Sequence, residues 1–156
     1  MSVLARLLGT LKRSQGVPEA LDKVYRFRAQ LKHRKGNWRV IEIKGDQTLG
    51  DLDAVLRETF NRDTWDHLSE FFPGEAHRSL GYGAINPFGN GPGGAKPIAA
   101  LHLVPGGTLE YVYDFGDDIQ HVLTLEEIVD PEPDAPYPRV VARSQPGTRK
   151  KKLVAQ

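Results

Sequence analysis

The chain has 156 residues with 39% hydrophobic and 26% charged content, one domain's worth of soluble globular protein. It has no cysteine, which excludes disulfides, thiolate metal sites and thiol catalysis and suits a reducing, cytoplasmic setting. No apolar run approaches the ~20 residues of a membrane span, and the formal charge of +1 hides balances of +8 over residues 1–44, −13 over 45–138 and +6 over 139–156. Two readings of that layout stay open. Either the basic ends neutralise the acidic middle, or they meet a polyanion, nucleic acid or a ribonucleoprotein.

Residues 1–18 form a basic amphipathic extension. Val3, Leu4, Leu7, Leu8 and Leu11 recur at helical spacing beside Arg6, Lys12 and Arg13. So short a helix needs a surface to pack on, its own domain's or a partner's. Residues 22–143 read as an α+β domain. Val24–Leu31 and Trp38–Ile43 alternate as strands joined by the basic turn Lys32–Gly36. Their outer face would carry Arg26, Arg28, Lys32, Arg34 and Lys35, with Arg39 a further member. Such charges either protect a strand edge or contact phosphates. Thr48-Leu49-Gly50-Asp51 reads as a capping box opening a helix, with Leu52, Val55, Leu56 and Phe60 buried and Asp53, Arg57 and Glu58 facing water.

A short strand is expected around Leu68–Phe72. Residues 81–94 hold six glycines and two prolines and read as a flexible loop, without the Gly-Lys-Ser/Thr end of a phosphate-cradling loop. Ile98–Val104 suits a short strand or helical turn. Leu109–Glu127 is the organising hairpin. Leu109, Tyr111, Tyr113 and Phe115 alternate with Glu110, Val112 and Asp114; Gly116, Asp117 and Asp118 turn the chain, and Ile119, His121, Leu123 and Leu125 follow. It is expected to carry most of the aromatic core. Pro131, Pro133, Pro136 and Pro138 then forbid helix, and Val140–Val141 suits an edge strand. Residues 144–156 are a basic tail with Arg149, Lys150, Lys151 and Lys152. The fold expected is thus an antiparallel or mixed sheet with a helix packed on one face.

Asp114, Asp117, Asp118 and His121, with His67 and Glu70, form the one set of side chains suited to a divalent metal or to acid–base work. Turn aspartates more often bond their own backbone, and a histidine on the apolar register of a strand is more often a core residue. No nucleophile elbow, zinc-protease, dinucleotide or calcium-loop motif occurs.

Several blocks in order resemble the plasmid pRiA4b ORF-3-like family, whose members include insertion-sequence passenger proteins labelled TnpR-like. They are Val24–Leu31, Trp38-Arg39, Thr48–Leu52, His67–Phe71, Tyr113-Asp114-Phe115-Gly116-Asp117-Asp118, His121 and Tyr137-Pro138-Arg139. The resemblance implies an α+β domain without an established activity and a mobile-element, plasmid setting. The chain departs from the pattern at Ile119, where the family has Trp, and at Val140–Ser144, which replaces a cysteine-bearing segment. The first functional expectation is a non-enzymatic binding module using the basic termini and first hairpin, with no resident cofactor. The alternatives are a metal-dependent or acid–base enzyme at the central hairpin, and a protein-interaction adaptor using the N-terminal helix.

Overall fold

The computed structural model describes residues 20–60, 62, 67–74 and 80–145. The N-terminal extension and Arg149–Lys152 of the tail therefore lie outside the described residues.

Seven strands form one sheet in the order β4-β3-β5-β6-β1-β2-β7. They are β1 Val24–Leu31, β2 Arg34–Lys44, β3 Ser69–Pro73, β4 Ala84–Ile85, β5 Thr108–Tyr113, β6 Ile119–Val129 and β7 Arg139–Arg143. Every pairing is antiparallel, so the mixed alternative does not apply. Helix α1, Leu49–Thr59, covers one face.

Strand alternation decides the two faces. Tyr25, Phe27 and Ala29 of β1 register with Ile43, Ile41 and Arg39 of β2 on the helix side, while Arg26, Arg28 and Gln30 register with Glu42, Val40 and Trp38 on the other. Leu49, Leu52 and Leu56 of α1 close the core over Phe27, Ile41, Phe71, Tyr111 and Leu123. Among the described residues the buried aromatics are Tyr25, Phe27, Phe60, Phe71, Phe72, Tyr111 and Tyr113, so the central hairpin supplies two of them rather than most. Phe115 leaves the strand pattern. Asp114 at φ 63° ends β5, and Phe115 sits exposed in the turn.

The capping box forms as expected. Thr48 Oγ1 accepts from the Asp51 amide at 3.2 Å and Asp51 Oδ2 accepts from the Thr48 amide at 2.9 Å. Thr48→Ala should therefore lower stability by about 1 kcal/mol in a urea titration, and an unchanged midpoint would show the box to be inert.

The glycine-rich segment is more organised than its composition suggests. It holds β4 and a 3₁₀ turn at Pro92–Gly94, and it packs so closely on α1 that a Cβ on Gly50 would lie 3.0 Å from the carbonyls of Gly89 and Gly94.

Two expectations about facing are corrected. Asp53 and Arg57 do not face water; both are 1% exposed. Arg39 is not on the outer face. It lies under the end of α1, where its Nε donates to Thr59 Oγ1 at 3.0 Å and its guanidinium stacks 4.8 Å from the Phe60 ring.

Candidate functional site

The outer sheet face holds the first group of predicted basic residues. Arg26 donates to Glu42 of β2 at 2.8 Å and also pairs with Glu127 of β6. Arg139 of β7 occupies the second Glu42 oxygen at 2.9 Å and meets Glu132 at 3.2 Å. Burial pulls the Glu42 carboxyl up, but the hydrogen bonds from Arg26 and Arg139 outweigh it and hold it below the usual carboxylate range. The Arg28 guanidinium lies 4.1 Å over the Trp38 ring, and Lys32 Nζ is 3.5 Å from Glu110. Arg26, Arg28 and Lys32 thus have partners inside the fold. Arg34 and Lys35, at the β1–β2 tip, are exposed and form no ion pair among the described residues.

Register brings distant charges to one end of the sheet. Leu31 pairs with His121, and the Lys32 amide donates to the Gln120 carbonyl at 2.9 Å, so the basic β1–β2 tip stands beside the acidic β5–β6 tip. β7 runs antiparallel to β2, and its exit is tied to the start of that strand. The Ser144 amide donates to the Trp38 carbonyl at 3.0 Å, and the Trp38 amide donates to Ser144 Oγ at 3.1 Å. The chain therefore leaves β7 heading along β2 toward Arg34 and Lys35. The opposite end receives the N-terminal segment. There the Asp46 amide donates to the Leu21 carbonyl at 3.1 Å, and Lys23 pairs with Asp130.

The Asp/His/Glu set divides three ways. His67 Nδ1 and Asp114 Oδ2 are 3.3 Å apart. Asp114 Oδ1 also accepts from the amides of Gly116 at 3.1 Å and Asp117 at 3.2 Å, the backbone bonding expected of a turn aspartate. Asp117 is exposed, and Asp118 accepts from Gln120 at 2.8 Å. Glu70 projects from the outer face and accepts from the Gly83 amide at 3.0 Å. His121 is fully buried on the helix face. Among the described residues no three His, Cys, Asp or Glu side chains stand close enough together to hold a metal ion. His67 and Asp114 remain together as a close polar pair.

The buried His121 has a defined state. Arg62 can only donate, and its Nη2 lies 3.0 Å from His121 Nε2. Nε2 is then the acceptor, and Nδ1 carries the proton toward the Tyr111 carbonyl at 3.3 Å. Burial first, and the Arg62 charge second, push the imidazole pKa down to about 4. The ring is held edge-on by Phe60 and Tyr111 at 5.0 and 5.1 Å.

A second buried group escaped the sequence reading. Asp53 Oδ1 accepts from Ser69 Oγ at 2.5 Å and Tyr111 Oη at 2.6 Å, and Oδ2 accepts from Arg57 Nε at 2.9 Å. Arg57 also donates to Ser69 Oγ at 3.0 Å and to the carbonyls of His67 at 2.9 Å and Ile85 at 3.3 Å. Burial raises the Asp53 pKa against these bonds, and burial with the Asp53 charge raises that of Tyr111. The group ties α1 to β3, β4 and β5. The available signal was spacing: Leu49, Asp53, Leu56, Arg57 and Phe60 lie on one helical stripe.

An antiparallel seven-stranded sheet with a helix on one face, among the described residues, defines an α+β protein whose family-resembling sequence blocks fall mainly in its strands, cap and turns. A family model for plasmid pRiA4b ORF-3-like protein matches residues 23–148, and the chain belongs to that family. Among solved structures it is similar to a protein of unknown function from Methanosarcina mazei Go1, at 23% identity and a TM-score of 0.62 over 78% of this chain and 68% of that one; the likeness is one of fold. No curated protein matches the chain. Among the described residues no helix is long and apolar enough to cross a membrane.

Proposed function

We propose that the protein is a binding module that contacts nucleic acid, free or in a ribonucleoprotein, through the β1–β2 tip and the C-terminal tail. The observation that carries this reading is convergence. Ser144 is bonded to Trp38, so the last described residues, Ser144 and Gln145, stand toward the end of the sheet that presents Arg34 and Lys35, and Arg149, Lys150, Lys151 and Lys152 follow shortly after them in sequence. Arg149 follows Gln145 by four positions in sequence, a chain reach of at most ~14 Å. We infer that these two basic clusters, more than 100 positions apart in sequence, act together.

The contact is with phosphates and is salt-dependent, since the described residues present neither a reading helix nor an aromatic stacking platform at this tip. Arg26, Arg28 and Lys32 shape the strands beneath it rather than reach outward, each having a partner on the sheet. Lys23, near the start of the described chain, lies by Asp130 at the far end of the sheet, about 35 Å away along the eleven residues of β2.

The test is binding of single- and double-stranded oligonucleotides across a salt series. Replacing Arg34 and Lys35 by Gln should weaken binding and lower the slope of log K against log salt by roughly 1.5, at about 0.7–0.9 per lost phosphate contact. Wild-type protein that binds neither strand at ~50 mM salt would overturn the reading.

A further inference from the structure

An open cleft of about 470 Å³ separates the last turn of α1 from edge strand β7. Val55, Glu58 and Thr59 line its helix side, and Pro138, Val140 and Arg143 its strand side, with Arg139 at the rim. Arg143 registers with Arg39, so its side chain emerges on the helix face of the sheet. It is exposed and has no carboxylate partner among the described residues.

Arg39 lies behind Thr59 and is 9% exposed, yet every acceptor it reaches among the described residues is neutral. Nε bonds the Thr59 carbonyl at 3.2 Å and Thr59 Oγ1 at 3.0 Å, Nη1 bonds Asn37 Oδ1 and the Trp38 carbonyl at 2.9 Å, and Nη2 bonds the Thr59 carbonyl at 3.2 Å. A buried guanidinium without a counter-ion is costly. Burial lowers the Arg39 pKa, and the Arg143 charge lowers it further, so the two cations act on the same space. Thr59 is 7% exposed, and its Oγ1 is already an acceptor for Arg39. Its hydroxyl proton has no acceptor among the described residues.

Arg39 also satisfies the terminal carbonyl of α1, which accounts for its position. That role explains neither Arg143, without a carboxylate partner among the described residues on the same face, nor the Thr59 hydroxyl in the cleft wall, which has its proton still to donate. We propose that the α1–β7 cleft binds a phosphoryl group, held by the Arg143 guanidinium and the Thr59 hydroxyl against the uncompensated charge of Arg39. A phosphoryl group suits the site because guanidinium geometry matches its oxygens and two positive charges answer its two negative ones. Glu58 at the rim opposes the ligand and limits its affinity.

The site stands apart from the β1–β2 tip and is tested separately. The full chain is titrated with inorganic phosphate, following backbone amide resonances, against chloride at matched ionic strength. Saturable shifts at Thr59, Val140 and Arg143 are expected with phosphate alone. Arg143→Gln, on an exposed edge, should weaken phosphate binding about tenfold, the scale of one charge-assisted hydrogen bond. Glu58→Gln should tighten it, and Thr59→Ser should keep it. Shifts equal to those in chloride, or an Arg143→Gln variant that binds like wild type, would overturn the proposal. A thymidylate decamer that displaces phosphate assigns the ligand to a polynucleotide backbone; one that does not assigns it to a small phosphorylated molecule. Replacing Arg34 and Lys35 by Gln should leave phosphate affinity unchanged, so the tip and the cleft can fail independently.

Discussion

Arg57→Leu should cost the fold about 3–5 kcal/mol, the range for removing one partner of a buried ion pair. The Arg57 and Asp53 side chains are 2% and 1% exposed, and Asp53 keeps only the Ser69 and Tyr111 hydroxyls once Arg57 is gone. Arg57 also serves the carbonyls of His67 and Ile85, so its loss strands acceptors on two further segments. A urea titration reads the change directly. Asp53→Leu combined with Arg57→Leu should cost at least ~1 kcal/mol less than the sum of the single changes, because no unpaired charge is left behind. Arg57→Lys tests the fork: it keeps the charge near Asp53 and loses the bonds to Ser69 and Ile85. If Arg57→Leu came within ~0.5 kcal/mol of wild type, the pair would behave as a solvent-facing i,i+4 pair and the packing described above would be wrong.

Acidification should destabilise the protein through His121. The imidazole is held at a pKa of about 4 in the fold, against about 6.5 when unfolded. Between those values the unfolded chain binds the extra proton, so stability is fully present above about pH 6.5 and declines as pH falls toward about 4. The full effect is on the order of 3 kcal/mol, at ~1.4 kcal/mol per pH unit. The geometry gives the cause. Protonation would place a second N–H against the Arg62 guanidinium at 3.0 Å, inside a pocket closed by Phe60 and Tyr111. Urea midpoints of wild type and His121→Gln at pH 7 and pH 4.5 separate this group from the carboxylates, whose titration is common to both proteins. The wild type should lose about 2–3 kcal/mol more than the variant across that interval. Equal losses would mean that His121 is not the neutral, buried imidazole the structure describes.

The elements themselves were legible because each is written in local periodicity. β1 spans Val24–Leu31, as its alternation predicts, Thr48 and Asp51 form the cap, and the edge strand after the prolines is present as Arg139–Arg143. The errors share another origin. Phe115 continues the alternation of β5 on paper, but a positive φ at Asp114 ends the strand first. Asp53 and Arg57 look like a water-facing pair because charge normally marks the solvent side. Here the acid finds Ser69 and Tyr111 from two other strands, and burial becomes tolerable. The Asp/His/Glu set looked like one cluster because its members are close in sequence or share a motif. Pleating then sends Glu70 to the outer face and His121 to the inner one, leaving His67 with Asp114.

By itself, then, the amino-acid sequence determined the family, the cap and most strand positions, the face of most core residues and the uneven distribution of charge. Only the tertiary structure decided which charges meet. Periodicity tells which side a residue takes; partner choice depends on sheet order and register, set by contacts between segments up to a hundred residues apart. That is why Arg26 is occupied by Glu42 and Glu127, why Arg39 lies beneath Thr59, and why Arg34, Lys35 and the start of the basic tail come out at the same end of one sheet.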